Sequence, residues 1–143
     1  MTRIDFYILP HDDEAQRLEF TCRLVDKATQ RGNRVLLNCE SDSSCTELDT
    51  LLWAFRPESY IPHVTLPDDE PKVSAAPVAL TCGGDSPSHH EVLVNLDNSL
   101  PEHFARFQRL AQIVNQDKNR ITASRKLFAF LRDQGYPIEV HNL

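Results

Sequence analysis

Glycine is scarce in this sequence. Its four copies among 143 residues form no Gly-x-Gly-x-x-Gly and no Gly-rich loop ending in Lys-Ser/Thr. No run of backbone N–H groups is therefore offered to a pyrophosphate, as nucleotide-binding loops require. The turn after the first apolar segment reads Leu9-Pro10-His11-Asp12. A Gly-x-Ser-x-Gly nucleophile elbow is missing too. The four cysteines, at 22, 39, 45 and 82, include no Cys-x-x-Cys pair, and Cys39 and Cys45 have no matching His pair. Zinc and thiol redox chemistry are thus left without a ligand pattern, and the cysteines read as buried thiols acting as small apolar groups. No stretch approaches the roughly 20 apolar residues of a membrane span. The start, Met1-Thr-Arg-Ile-Asp-Phe-Tyr, has no long apolar core before a small-residue cleavage site, which argues against a secretory signal. A cytoplasmic location is expected.

What is present is ordinary globular material, 41% hydrophobic and 25% charged, of a length that suits one domain spanning 1–143. Its net charge of −6 is unevenly spread. Residues 103–143 hold seven Lys/Arg against three Asp/Glu, a net of +4, so the first 102 carry −10. The acidic body opposes nonspecific binding to nucleic acid. The basic tail suits either a small anionic partner or a solvated helix face.

Hydrophobic spacing predicts an α/β chain. Residues 3–9 read as a buried strand ending at Pro10, with Asp12 or Asp13 capping a helix over about 13–31. Its stripe is Ala15, Leu18, Cys22, Val25 and Thr29, and Gly32-Asn33 ends it. Residues 35–39 form a second strand, so the two should lie parallel across the helix. Ser44-Cys-Thr-Glu47 has the form of a capping box and opens a helix to about 54. Residues 58–77, with four prolines, read as a loop and as the most mobile part. Strands follow at 78–82, 91–96 and 110–114, with a polar loop at 85–90 that includes His89 and His90. A short helix is expected over 101–108 and a longer one over about 118–134, stopped by Gly135, before an extended 137–141. The last helix takes Ala123, Leu127, Phe130, Leu131 and Gln134 as its core stripe.

Two places read as adhesive rather than reactive. Around the end of the second helix, Leu52-Trp53-Ala54-Phe55 runs into Pro57-Glu58-Ser59-Tyr60-Ile61-Pro62-His63. Trp53 falls off the helix's Leu48/Leu51/Leu52/Phe55 stripe. It is either an exposed interface anchor beside Tyr60 or a ring hidden under the loop. On the last helix, Ile121, Arg125, Phe128 and Arg132 share one face at i, i+4, i+7 and i+11. With Val114 nearby, this face suits a short ligand bearing carboxylates and an apolar side chain, since arginine forks to a carboxylate. The plainer reading is an aromatic half-covered by arginine stems. Cys82 with His89 or His90 has no spacing that supports a nucleophile and base.

The run Leu48-Asp49-x-x-Leu52-Trp53-Ala54 with Pro57 to His63 resembles the chi subunits of bacterial DNA polymerase III. Phe6-Tyr7-Ile8-Leu9, Gly32 to Leu36, and Arg125 through Gly135-Tyr136 extend the resemblance nearly end to end. It implies a single three-layer Rossmann-like domain with a mixed, mainly parallel sheet and no nucleotide-binding loop. It implies no catalysis, cofactor or metal, and a place at the bacterial replisome. Chi subunits join two partners. Trp53, Phe55, Tyr60 and Pro62 match the surface that binds the psi subunit in a 1:1 heterodimer, where a helicase-like repair protein competes in some members. Val114, Ile121, Arg125, Lys126, Phe128 and Arg132 match the surface for the acidic C-terminal tail of single-stranded DNA-binding protein, which ends in Asp residues and then Ile-Pro-Phe. No direct specific nucleic acid contact and no membrane are implied. Two positions depart from the pattern: Phe128 replaces a usual Tyr, and Ala129 stands where some members carry a basic residue. The competing readings are a degenerate nucleotide-binding-like α/β enzyme and an unrelated protein-interaction module.

Overall fold

The computed structural model describes residues 1–55, 61–82 and 88–143. Seven strands alternate with four helices: β1 (Arg3–Ile8), α1 (Glu14–Gln30), β2 (Val35–Asn38), α2 (Asp42–Ala54), β3 (His63–Thr65), α3 (Glu70–Ala75), β4 (Val78–Thr81), β5 (Val92–Asn95), β6 (Arg109–Val114), α4 (Lys118–Asp133) and β7 (Ile138–Asn142). The strands form one sheet in the order β3-β4-β2-β5-β6-β1-β7. The expected Rossmann-like layering is present, but the sheet is not mixed as expected: all its pairings run parallel.

Parallel sheets are covered on both faces, so their central strands are apolar on both sides. Every residue of β2, β4 and β5 is buried. Alternation along the strands divides the core in two. Val35, Leu37, Val94 and Ile113 face Leu18, Cys22 and Val25 of α1 and Cys45, Leu48 and Leu52 of α2. Ile4, Phe6, Leu36, Leu93 and Leu110 face the other way, toward Val73 of α3 and Leu131 of α4.

Asp13 caps α1, its carboxylate accepting from the Ala15 N–H at 2.9 Å. Both described glycines lie just past long helices in the left-handed region, Gly32 at φ +83° and Gly135 at +84°. Gly there avoids the Cβ penalty and lets the last helical carbonyls be satisfied.

The structure departs from the spacing-based reading in several places. Helix α2 starts at Asp42, capped by Ser41, whose Oγ accepts from the Ser44 N–H at 3.1 Å. The Ser44–Glu47 box is therefore not its cap. The stretch read as a loop over 58–77 contains β3 and α3, the latter carrying Pro71 in its first turn, where the missing N–H costs nothing. The helix expected over 101–108 is only a three-residue 3-10 turn, Phe104–Arg106. Helix α4 is rotated from its expected stripe. Arg120, Ser124 and Leu131 are buried, while Phe130 is 48% exposed and Gln134 is exposed. His89, expected on the surface, is buried: its Nε2 lies 2.6 Å from the Ala76 carbonyl oxygen. Cys82 is the one cysteine that is exposed.

Candidate protein-binding surfaces

Asp117 sets the start of α4, its carboxylate accepting from the Arg120 N–H at 3.0 Å. The helix then runs back over β1 and β6. Phe128 is half-buried and meets Phe6 edge-on, with ring centroids 5.6 Å apart at 63°. Val114, at the C-terminal end of β6, is 1% exposed and shares one hydrophobic cluster with Phe128 and Ile121. Val114 thus lies beneath this surface, with Phe128 and Ile121 half-buried at it. Arg125 and Lys126 are exposed and make no hydrogen bond or ion pair among the described residues. Arg132, two turns beyond Arg125, touches only its neighbour Asp133, at 3.2 Å, both side chains being largely exposed. Such a pair holds its partners weakly. The face read from spacing is therefore an apolar patch on α4 flanked by Arg125 and Arg132, whose hydrogen-bonding capacity is largely unspent, while Lys126 is exposed elsewhere around the same helix.

The second surface lies at the β3 edge. Trp53 is 56% exposed. Its ring stands edge-on to His63 at 5.2 Å and 65°. His63 is held in turn by Asp49, whose Oδ1 lies 2.8 Å from Nε2, and by the Ile61 carbonyl, 2.7 Å from Nδ1. The histidine ring is thus a fixed platform that orients the indole. Pro62 is exposed beside it, whereas Phe55 is half-buried and packs against the α1/α2 core. Tyr60 lies outside the described residues.

Sequence reasoning missed the third feature. In open parallel sheets, ligands bind in the crevice at the C-terminal ends of the strands. Here arginine side chains occupy that position. Arg17, 1% exposed, donates from Nη1 to the carbonyls of Leu96 and Ile113 at 3.1 and 3.0 Å, and from Nε to Glu14 at 2.7 Å. Arg120 donates to the Leu96 carbonyl at 3.2 Å and to Asn98 at 2.9 Å, and meets Glu14 and Glu40 at 3.3 Å. Burial, and then the charge of Arg120, push the Arg17 pKa below its ordinary value, while Glu14 and Glu40 oppose that shift. The sequence signal was slight: Arg17 stands three residues after Glu14, beside the apolar stripe of the first helix rather than in it.

The remaining candidate chemical groups are engaged elsewhere. The Cys82 thiol donates to Asp42 Oδ1 at 2.6 Å, and His89 faces Ala76 and Arg34. Burial pushes the Cys22 thiol up to about 12, which keeps it protonated and inert. Among the described residues, Asp5, Glu139 and His141 form the one cluster with metal-ligand proximity. Asp5 already accepts from Arg109 at 3.2 Å and pairs with His141 at 3.0 Å, so its charge is compensated internally.

Comparison with known proteins identifies the family of the chain. Residues 1–139 match the family described as DNA polymerase III chi subunit, HolC. The chain is 40% identical over 143 residues to the DNA polymerase III subunit chi of Pseudomonas aeruginosa, covering 100% of this chain and 98% of that one. It is 27% identical over 139 residues to the subunit chi of Haemophilus influenzae, covering 96% and 95% of the two chains. The Escherichia coli subunit chi is 26% identical over 141 residues, with 95% of each chain covered. No helix among the described residues is long and apolar enough to cross a membrane. The chain belongs to the DNA polymerase III chi subunit family, which assigns it a role in DNA replication.

Proposed function

We propose that this protein is a non-catalytic adaptor of the replicative polymerase. On this reading it docks through the Trp53 surface onto the psi subunit of the clamp loader, and through α4 onto the acidic C-terminal tail of single-stranded DNA-binding protein. The observation that carries the reading is the α4 surface. Arg125 stands exposed without a partner among the described residues, on the same helix as a half-buried Phe128 seated over Phe6 and Val114. A peptide ending in Asp-Ile-Pro-Phe has the matching chemistry. Its carboxylates would take charge-assisted hydrogen bonds from Arg125, Lys126 and Arg132. Its terminal ring would lie against Phe128 and Ile121. The arginine-filled crevice supports the non-catalytic half of the reading, since the place where a nucleotide-binding relative would hold its ligand is taken by Arg17 and Arg120.

Neither contact needs to be tight. A tail affinity of roughly 1 μM is about −8 kcal/mol, and several tails held close together on coated DNA raise the effective concentration. The 1:1 assembly with psi leaves α4 free, because Trp53 and α4 sit at different parts of the fold. A helicase-like repair protein would compete with psi for Trp53 and leave tail binding unchanged.

Fluorescence anisotropy with a labelled acidic peptide ending in Asp-Ile-Pro-Phe tests the tail contact. Saturable binding is expected, weakened by salt and lost when the final Phe is removed. A folded protein that ignores the peptide at low salt removes this half of the function. Co-elution with psi, lost on Trp53→Ala while the peptide still binds, is the expected result for the other half. Unchanged co-elution of Trp53→Ala would overturn it.

A further inference from the structure

A groove of about 650 Å³ runs along the sheet face on which α1 lies, between that helix and strands β6, β1 and β7. It lies on neither surface described above. α1 seats over β2 and β6, and no helix among the described residues lies beyond it over β1 and β7. An all-parallel sheet is expected to be covered on both faces. Here the floor is left half-open: Tyr7 stacks on His141 at 4.6 Å and 11°, and leans on Phe20 at 5.5 Å, with each of these residues half-buried.

The rim is cationic in a protein whose net charge is −6. Arg23 and Lys27 of α1, and Arg31 just past its end, line the groove at i, i+4 and i+8, with a helical rise of about 6 Å from Arg23 to Lys27. All three are exposed, and none has a side-chain hydrogen bond or ion pair among the described residues. Like charges at this spacing destabilise a helix. Asp5, the acid inside the groove, is already shared between Arg109 and His141. Three uncompensated cations beside an apolar floor call for an occupant with a row of carboxylates and an apolar stripe.

We propose that this groove is the docking site for an acidic amphipathic helix of a partner protein, seated beside α1 in the open layer position over β1 and β7. A helix fits better than an extended segment. Lying on a sheet face, an extended chain would leave its own N–H and C=O groups unpaired, whereas a helix satisfies them internally. Carboxylates at i and i+4 of the incoming helix repeat at the same rise as the α1 cations, and an apolar stripe beside them meets Tyr7, Phe20 and Leu24.

The test is an NMR titration of the full ¹⁵N-labelled chain, at low salt, with a side-chain-stapled peptide of roughly five helical turns. It carries Glu along one flank and Leu and Phe along the adjoining stripe. Saturable shifts are expected at Tyr7, Phe20, Lys27 and His141, and none at Trp53 or Arg125. Binding should weaken at least about tenfold for the Lys27→Glu/Arg31→Glu variant and for a peptide with Glu changed to Lys. These exposed substitutions leave the fold intact, checked by an unchanged spectrum elsewhere. Several results would overturn the proposal: no shifts at ~1 mM peptide, equal binding of the charge-reversed peptide, or shifts on the Arg125 surface instead. So would an oligothymidylate that saturates the same cations more tightly than the peptide, or self-association of the free chain abolished by Lys27→Glu.

Discussion

Arg120 and Arg125 stand five residues apart on α4 and have opposite environments. Arg120 is 7% exposed and bonds to a carbonyl, an amide oxygen and two carboxylates drawn from three other parts of the chain. Arg125 is exposed and meets no partner among the described residues. Geometry separates their roles where residue type does not. An arginine most of whose donors are spent inside the fold, as those of Arg120 are apart from its buried Nε, holds elements together, because losing it strands buried acceptors. An arginine whose donors are unspent beside an apolar patch is available for a ligand. The same contrast separates Arg17 from Arg23 on α1, where one stitches β5 to β6 and the other lines an open groove.

The largest effect expected from this contrast is on stability. Arg17→Ala removes the side-chain donor to the Ile113 carbonyl, leaves the Leu96 carbonyl to Arg120 alone, and removes a counter-charge from Glu14 and Glu40. Those carboxylates are 45% and 35% exposed and recover part of their hydration, so the cost falls at the low end of that for a broken buried pair, roughly 3 kcal/mol. For a chain of this size that lowers Tm by about 6–12 °C, read by circular dichroism. A shift of a degree or two would mean the crevice network is ornamental. Arg125→Ala should do the reverse. Its unfolding free energy stays within about 0.5 kcal/mol of the parent, while affinity for the Asp-Ile-Pro-Phe peptide drops roughly tenfold to hundredfold, the worth of a charge-assisted hydrogen bond. If Arg125→Ala unfolds the chain, or Arg17→Ala abolishes peptide binding at full stability, the division between the two classes fails.

Much of the fold was legible because its signals are local. Pro10, Asp13 and Gly32 bound β1 and α1, and the continuous apolar runs of β2, β4 and β5 can only be doubly covered strands. What escaped is what depends on distant partners. β3 has three residues and α3 has six, too short for any period to show against their prolines. The rotation of α4 follows from Arg120 reaching Glu14 and Glu40, some 106 and 80 positions away, and from Phe128 landing on Phe6. Spacing alone put Phe130 in the core and Phe128 outside it, because it weighs hydrophobicity and not these anchors. Arg125 and Arg132 were nonetheless read on a partly exposed face, since charges without partners leave the core by default.

A smaller test concerns a histidine with the same inside–outside ambiguity. Burial holds the His89 pKa below its ordinary 6.5, and the nearby Arg34 guanidinium adds to the shift, while the Ala76 carbonyl, Glu70 and Glu91 oppose it. Unfolding exposes the ring, which then takes up a proton as pH falls through 6.5. The native state resists protonation until lower pH. Stability at His89 is therefore complete above the unfolded value and declines as pH falls below it. Guanidinium midpoints measured between pH 7.5 and 5 should fall with pH, and less so in His89→Gln. Parallel declines in the two proteins would show that His89 is not the titrating group.

The smallest effect tests the α4 surface by addition. Ala129 is half-buried, four residues after Arg125 and three before Arg132, so Lys at 129 adds a cation beside Arg125 and Arg132. An exposed charge pair is worth about 0.2–1 kcal/mol, which predicts a gain in peptide affinity of roughly 1.5- to 5-fold for Ala129→Lys. The free protein should lose about 0.2–0.5 kcal/mol at the same time, because the new charge repels Arg125 one turn away. The two signs together discriminate. A surface built for a carboxylate ligand gains affinity while it loses stability, and both changes shrink as salt shortens the range of the charges. A solvated helix face with no ligand would show the stability loss alone, and the peptide titration would be flat.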